Sequence, residues 1–288
     1  MSRTAETGIH REPITFDKSD ETCLCYNKPM NQDTLSAALK DLPIIAVRWH
    51  ATIPSTNDAA LAWADAGAPD GALIVADFQT AGRGRGSRKW LTELGSSLAL
   101  SLVLHPTPDE IGAMPFFAPL AALAVCTALE DLGLVPQIKW PNDVLIERKK
   151  CCGILVEANW AGEKPSAVVI GIGVNVAHDS IPPDEQLIFP ATCIESHTTA
   201  KVDKLKLLHD ILAKIFMWRR QIKTLAFYEA WQKHLAFVGE PIYIEQADKI
   251  QFEGTLIGID PQGSLIIKDS DDKTHQVVVG DVHLRPNL

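Results

Sequence analysis

QIKWPNDVLIERKKCCGILVEANWAGEKPSAVVIGIGVNV, residues 137 to 176, holds four apolar, strand-like runs. They are Gln137 to Trp140, Val144 to Glu147, Cys151 to Ala158 and Ala167 to Val176. The links between them, such as Pro141-Asn142-Asp143 and Glu163-Lys164-Pro165, are too short for crossover helices. Short links turn a chain back on itself, so this region predicts antiparallel pairing rather than a doubly wound parallel sheet.

Upstream, helix and strand patterns alternate. NQDTLSAALKDLP reads as a short helix with Asp33 as N-cap, Leu35, Ala38 and Leu42 on one side, and a proline stop. A strand from Ile44 to Trp49 leads to STNDAALAWADAG, where Ser55 or Thr56 caps a helix that Gly67 ends. Ala72 to Phe78 reads as a buried strand, and Ser97 to Leu104 as an amphipathic one with Leu98, Leu100, Leu102 and Leu104 on one face. Pro119 suits position N1 of a helix reaching about Asp131, with Leu120, Leu123, Ala124, Thr127 and Ala128 as its buried stripe.

Downstream, residues 179 to 199 are rich in Pro, Thr and charge and read as a loop placed to cover a site. One or two long helices fill Asp203 to His234, carrying Leu207, Ile211, Ile215, Phe227 and Trp231. After Gly239 come short strands and a type I turn at Asp260-Pro261-Gln262-Gly263, the texture of a small β-barrel. The fold class is α+β: a mixed, largely antiparallel sheet with packed helices, followed by that barrel. The expected units are a leader and short helix at 1–43, a catalytic domain at 44–236 and a C-terminal domain at 237–288.

At 288 residues the chain holds about two domains of roughly 150 residues each. With 46% hydrophobic and 22% charged residues it has a globular composition. Its 27 Lys and Arg against 36 Asp and Glu give a net charge of -9, unfavourable for a protein that lives on a polyanion. Basic clusters therefore need a local explanation. Six cysteines without a CxxC exclude zinc-ribbon spacing. The N-terminal segment lacks an apolar signal region, and no run approaches the roughly 18 apolar residues of a membrane span. These features predict a cytoplasmic protein with free thiols.

Gln79 to Trp90, QTAGRGRGSRKW, carries the most chemistry. Gly82, Gly84 and Gly86 lie among Arg83, Arg85, Arg88 and Lys89, so backbone N–H groups can approach an anion while guanidinium groups neutralise it. Phosphate is the obvious ligand. The run is neither GxxxxGK[ST] nor GxGxxG, because Ser87 stands where the latter needs Gly. Alone it fits a solvated basic loop or an RGG-like RNA contact equally well.

Four other segments shift that balance: Ser55-Thr56-Asn57, Lys139-Trp140-Pro141-Asn142-Asp143, Lys149 to Glu157 (KKCCGILVE) and Gly171-Ile172-Gly173-Val174-Asn175. With the Gln79 loop, and in this order, they resemble the motifs of the biotin protein ligases over about residues 44 to 288. The resemblance implies a class II synthetase-like biotin/lipoate transferase fold with an SH3-like C-terminal domain ending in Leu284-Arg285-Pro286. It also implies activation of biotin by ATP as biotinyl-5'-AMP and transfer to one lysine of a biotin carboxyl carrier protein, commonly that of acetyl-CoA carboxylase. Mg2+ would escort the phosphates, the chain itself would hold no metal, and the enzyme would be a monomer or homodimer.

The biotin site implied by the resemblance comprises Ser55, Thr56, Asn57, Gln79, Arg83, Gly84, Arg85 and Lys150. The ATP and adenylate site comprises Arg83, Arg85, Arg88, Lys139, Asn142 and Asn175, with Asn175 as adenine contact. The catalytic set is Arg85, Lys150 and Asp143. The chemistry agrees: joining a carboxylate to an α-phosphate brings two anions together, which needs fixed positive charge such as Arg83, Arg85 and Lys150. Biotin's ureido ring has one acceptor and two donors, each costing about 1–3 kcal/mol if buried unpaired, and Ser55, Thr56, Asn57 and Gln79 supply short polar partners.

Taken singly, Ser55 reads as a helix cap, Gln79 as a strand-end amide and Asn175 as a turn residue. Asp143 reads equally as a turn residue and as a proton acceptor or electrostatic guide for the attacking lysine. Trp90 and Trp140 read as packing anchors. Departures from the family pattern are Ser87 in place of a glycine, and Cys151 and Cys152 in place of small apolar residues. The cysteines read as packing groups, with redox sensitivity as the alternative. No helix-turn-helix pattern precedes the catalytic segment, so no DNA partner is expected. A biotin-responsive repressor and a lipoate or octanoate transferase stand as rival readings, the latter disfavoured by the GRGR loop and the barrel.

Overall fold

The structure is a computed structural model that describes residues 30–91, 93–187, 189–246, 249–278 and 280–284. The unit expected at 1–43 is described from Met30 onward, and Met30 is buried; residues 1–29, with Cys23 and Cys25 and the rest of the expected leader, and the terminal Arg285 and Pro286 lie outside the described residues. The first part of the chain forms α1 (Gln32–Ala38), β1 (Ala46–His50), α2 (Thr56–Asp65), β2 (Ala72–Ala76), β3 (Ser97–Leu104), α3 (Pro108–Ile111) and α4 (Phe117–Glu130). Then come β4 (Pro136–Lys139), β5 (Asp143–Ile146), β6 (Lys149–Ala161) and β7 (Lys164–Asn175). The helices α5 (Lys204–Arg219) and α6 (Leu225–His234) precede β8 (Pro241–Gln246), β9 (Lys249–Ile259), β10 (Leu265–Lys268), β11 (Thr274–Val277) and β12 (Asp281–Leu284).

Seven strands form one sheet in the order β1-β2-β3-β7-β6-β5-β4. Only β1 and β2, joined through α2, run parallel; the other pairs are antiparallel, as the short links require. One face carries α2, whose Ala60 packs with Ile74, Val103 and Val169. The other face carries α4, with α5 and α6 behind it. The free edge of β1 is covered by a side chain: the Gln32 amide donates to Val47 O at 2.9 Å and accepts from Trp49 N at 3.0 Å. An amide thus stands where an eighth strand would pair, which blunts the edge.

Several local expectations change under tertiary packing. Asn31, not Asp33, caps α1, through reciprocal bonds with Thr34 at 2.9 and 3.0 Å. The buried residues there are Leu35 and Leu39 rather than Ala38 and Leu42. α4 begins at Phe117, so Pro119 is its third residue rather than its first. Lying between the sheet and two helices, α4 is buried almost all round instead of along one stripe. β3 is buried on both faces, because α2 covers the side holding Ala99, Ser101 and Val103.

The last five strands form a second, antiparallel sheet in the order β11-β10-β9-β8-β12. Its expected turn is present, with Gly263 N donating to Asp260 O at 2.9 Å. This sheet is fastened to the first domain by neutral hydrogen bonds: Trp140 Nε1 to Gly263 O at 3.1 Å, Tyr228 OH to Ile259 O at 2.6 Å, and Ile259 N to Gln232 Oε1 at 3.0 Å. Among the described residues no helix is long and apolar enough to cross a membrane.

Candidate active site

Antiparallel pairing brings the five motifs to one cleft of about 720 Å³. Its walls are the N-terminus of α2, the loop after β2, the turn between β4 and β5, the start of β6, the end of β7, the residues Pro182, Gln186, Leu187, Phe189 and Ala191, and β8 and β12 of the second sheet. The two ends of the cleft differ in chemistry.

One end is neutral, buried and internally hydrogen-bonded. Ser55, Thr56, Asn57 and Gln79 meet there, all nearly inaccessible to solvent. Ser55 Oγ caps α2 by accepting from Asp58 N at 3.3 Å. Gln79 Oε1 accepts from Thr56 N at 2.8 Å and from Thr56 Oγ1 at 3.0 Å. Ser101 Oγ, on β3, lies 2.8 Å from Thr56 Oγ1 and 2.6 Å from Asn57 Oδ1, its single proton serving one of the two. Asn57 Nδ2 donates to Glu157 Oε2 at 2.9 Å.

The two glycines of GxGxN are explained by this crowding. A Cβ on Gly171 would lie 2.1 Å from Asn57 Oδ1, and one on Gly173 would lie 2.4 Å from the Trp90 ring. β7 must be bare at both positions for α2 and the loop to reach it.

The other end is charged. The loop is a small hairpin in which Gly84 N donates to Arg88 O at 2.8 Å and Trp90 N to Gly82 O at 2.9 Å. Gly86, with φ of 67°, takes the left-handed position of the turn closed by Arg88 N to Arg85 O at 3.4 Å; exposed Ser87 is the turn's other central residue, so the departure falls on the turn but at a position outside the left-handed region. Arg83, expected beside the phosphates, pairs with carboxylates: its guanidinium forks onto Glu157 at 2.8 and 2.5 Å and meets Asp58 at 2.7 Å. Hydrogen bonding to Glu157 raises its already high pKa. Neutralised by two carboxylates, Arg83 clamps the loop to α2 and β6. Arg85 and Arg88 instead reach the second sheet, where both pair with Asp281.

Between the ends lies a buried ion cluster. Asp143 Oδ1 pairs with Lys150 Nζ at 2.6 Å, and its Oδ2 lies 3.9 Å from Lys139 Nζ. Burial lowers the Lys139 pKa, and the nearby Asp143 charge works against that shift. Lys150 is also 5.6 Å from the Trp90 ring centroid, facing a ring that packs against Gly153 and Gly173. Trp90 is thus an anchor, as expected, and also part of the cleft wall.

Two expected nucleotide contacts are held by backbone. Asn142 Nδ2 donates to Ile154 O at 2.6 Å, and Asn175 Nδ2 to Thr192 O at 3.1 Å. Both still line the cleft. The segment read as a cover adds Pro182, Leu187 and Phe189 to the wall and is stitched to β6 through Lys150 N to Pro190 O at 2.7 Å and Thr192 N to Lys150 O at 2.9 Å. Cys126, Cys151, Cys152 and Cys193 are free and buried. Burial pushes the Cys151 thiol up to about 12 and Cys152 well above its usual value, so neither presents a reactive thiolate.

Sequence reasoning missed Ser101, Glu157 as the partner of Arg83, and the second-sheet residues Glu245, Asp281 and His283. A serine within a leucine-rich strand was a usable signal for Ser101. Nothing local marks Asp281, which acts on residues 193 and 196 positions earlier only after folding.

Comparison with known proteins follows the same division of the molecule. The family model described as Biotin/lipoate A/B protein ligase family matches residues 49–175, and that described as Biotin protein ligase C terminal domain matches 237–285. The biotin--[acetyl-CoA-carboxylase] ligase of Paracoccus denitrificans is 36% identical over 228 residues, covering 74% of this chain and 90% of the relative. The bifunctional ligase/repressor BirA of Bacillus subtilis is 32% identical over 240 residues, covering 82% of this chain and 73% of the relative. Among solved structures, the biotin protein ligase from Aquifex aeolicus in complex with biotin and ATP superposes with a TM-score of 0.71 at 27% identity, over 84% of this chain and 99% of that one. With its motifs gathered at one cleft and its relatives matched across both sheets, the chain belongs to the biotin protein ligase family.

Proposed function

We propose that the protein activates biotin with ATP and transfers the biotinyl group to a lysine of a biotin carboxyl carrier protein in the cytoplasm, acetyl-CoA carboxylase being the carboxylase that the names of its relatives indicate. The observation that carries this reading is the cleft itself, which joins a buried neutral pocket to a cluster of Arg and Lys side chains. Residues 44–236 would form the catalytic domain and 237–288 the C-terminal domain.

Ser55, Thr56, Asn57 and Gln79 offer donors and acceptors to the ureido ring, with Ser101 and Glu157 holding their orientation. Lys150 faces the carboxylate end. In the first step a carboxylate oxygen of biotin bonds to the α-phosphorus of ATP, and the bond to the β-phosphate oxygen breaks to release pyrophosphate. Arg85 and Lys150 offset the negative charge that accumulates. In the second step the neutral amine of the carrier lysine attacks the acyl carbon of the adenylate, AMP departs with the bonding electrons, and the amine's proton passes to solvent. Asp143, with both oxygens turned towards ammonium groups, positions Lys150.

Magnesium would arrive with the nucleotide. Among the described residues no three His, Cys, Asp or Glu side chains converge to hold a cation, and Asp143 and Asp281 are both in ion pairs. The residues present do not form a cage for the ion, and no step above runs through it.

The deciding experiment is exchange of labelled pyrophosphate into ATP. Exchange that needs biotin and magnesium, and that lipoate and octanoate do not support, is the expected result. Exchange driven by lipoate instead of biotin would overturn the reading.

A further inference from the structure

Arg85 and Arg88 lie on the loop after β2, yet their carboxylate partner lies on β12. Arg85 Nη2 pairs with Asp281 Oδ1 at 2.8 Å and donates to Gly280 O at 2.8 Å. Arg88 Nη2 pairs with the other oxygen, Oδ2. One carboxylate therefore holds two guanidinium groups, one on each oxygen. Two neighbouring cations repel, and a shared anion sets their separation.

The carboxylate sits on a paired strand. β12 pairs with β8 through Asp281 to Leu284, with Val282 opposite Ile244 and both buried. Gly280, with φ of 149°, takes a course closed to other residues, since a Cβ there would lie 2.4 Å from Ile244 Cγ2. That course presents the Gly280 carbonyl to Arg85. The loop, by contrast, carries three glycines within five residues, Gly82 to Gly86. An acceptor on a paired strand orienting side chains on a glycine-rich loop is how a supporting shell preorganises a site. Each arginine meets Asp281 through Nη2, and a guanidinium has five N–H donors, so donors remain on both forks for a ligand in the cleft.

We propose that Asp281 is a positioning residue for biotin activation: it holds Arg85 and Arg88 side by side as a paired fork for the phosphates of ATP. The proposal rests on the activation reading above. It predicts an effect confined to the nucleotide, because the neutral end of the cleft does not touch Asp281.

The test compares wild type with Asp281→Asn and Asp281→Glu in the full chain. The readouts are the KM for MgATP in pyrophosphate exchange, the Kd for biotin alone, the melting temperature, and the rate of tryptic cleavage at Arg85 and Arg88. For Asp281→Asn the expected result is a rise in KM for ATP of roughly tenfold, about what losing one charged contact costs. Biotin affinity should stay within about twofold of wild type, cleavage at the loop should quicken, and Asp281→Glu should recover most of the ATP affinity.

Unchanged or tighter ATP binding in Asp281→Asn would overturn the proposal, the latter because the carboxylate would then be competing with phosphate. A parallel loss of biotin affinity, or an Asp281→Asn protein that does not fold while Asp281→Glu folds and shows the wild-type KM for ATP with altered loop cleavage, would reduce Asp281 to a structural role and overturn it too. A wild type without biotin-dependent exchange would sink the activation reading, and this proposal with it; wild-type exchange that Asp281→Asn leaves intact sinks this proposal alone.

Discussion

The two ends of the cleft are built on different principles. At the neutral end, Thr56, Asn57, Gln79 and Ser101 are linked by hydrogen bonds, Ser55 caps α2 and Asn57 also donates to Glu157, and all five are nearly closed to water. At the charged end, Arg85 and Arg88 are half-exposed and are held by a carboxylate from another sheet. On the proposed function, the difference follows from what each end binds. A ureido ring asks for fixed, short dipoles whose desolvation is offset by mutual hydrogen bonds. Phosphates ask for several like charges in one place, and such charges stay together only with a counter-ion present.

Four substitutions probe that contrast. Arg85→Ala should have the largest effect: a lost donor to transition-state charge typically costs roughly 100-fold to 1000-fold in rate. Single-turnover adenylate formation measures it, and biotin binding should survive. Ligation at the wild-type rate would remove Arg85 from the chemistry and leave the charged end without its central member.

Lys150→Ala comes next, since it touches both ends. It should weaken biotin binding and slow adenylation, each by roughly 10-fold or more, the scale of a charged hydrogen bond. Calorimetry on biotin alone separates the two losses. Biotin affinity and adenylation both unchanged would refute the role.

Gly171→Ala attacks the neutral end only. The added Cβ would displace the Asn57 amide, from which it would lie 2.1 Å, and biotin affinity should fall by roughly tenfold, with KM for ATP little changed. An equal loss in both constants would show that the two ends are not independent.

The smallest effect is expected at His283, which lines the charged end and stacks on Tyr243 with ring centroids 4.9 Å apart. Burial, with Lys139 nearby, holds its pKa below the ordinary imidazole value of 6.5. The folded protein then binds fewer protons here than the unfolded chain, so this contribution to stability is present above about pH 6.5 and is lost as pH falls through the lowered folded value. His283→Gln should therefore lose less melting temperature than wild type between about pH 7 and about pH 5. An identical acid limb in the two proteins would contradict the sign.

Much of this was legible residue by residue. Short links between apolar runs dictate antiparallel neighbours, because a chain that turns within three residues can only fold back beside itself. Ser55 ahead of an alanine-rich run caps a helix wherever that run is placed. The glycine and arginine loop carries anion donors in its own residues, but alone it fits a solvated basic loop equally well and needs the other motifs beside it. These are properties of local backbone and side-chain chemistry, which travel with the sequence.

What folding alone decided concerns partners far apart in the chain. Arg83 and Arg85 stand two residues apart in the same motif, yet one is neutralised by Glu157 and Asp58 and the other is held by Asp281. Composition cannot tell them apart, since both offer the same guanidinium. β3 reads as half-exposed until α2 is laid over its second face, which turns Ser101 from a solvent-facing residue into a buried hydrogen-bond partner. In each case the residue's own chemistry is unchanged and its role is set by which carboxylate, hydroxyl or helix lies within about 3 Å, the range of a hydrogen bond. That distance is fixed by packing between segments up to nearly two hundred positions apart, which no local pattern encodes.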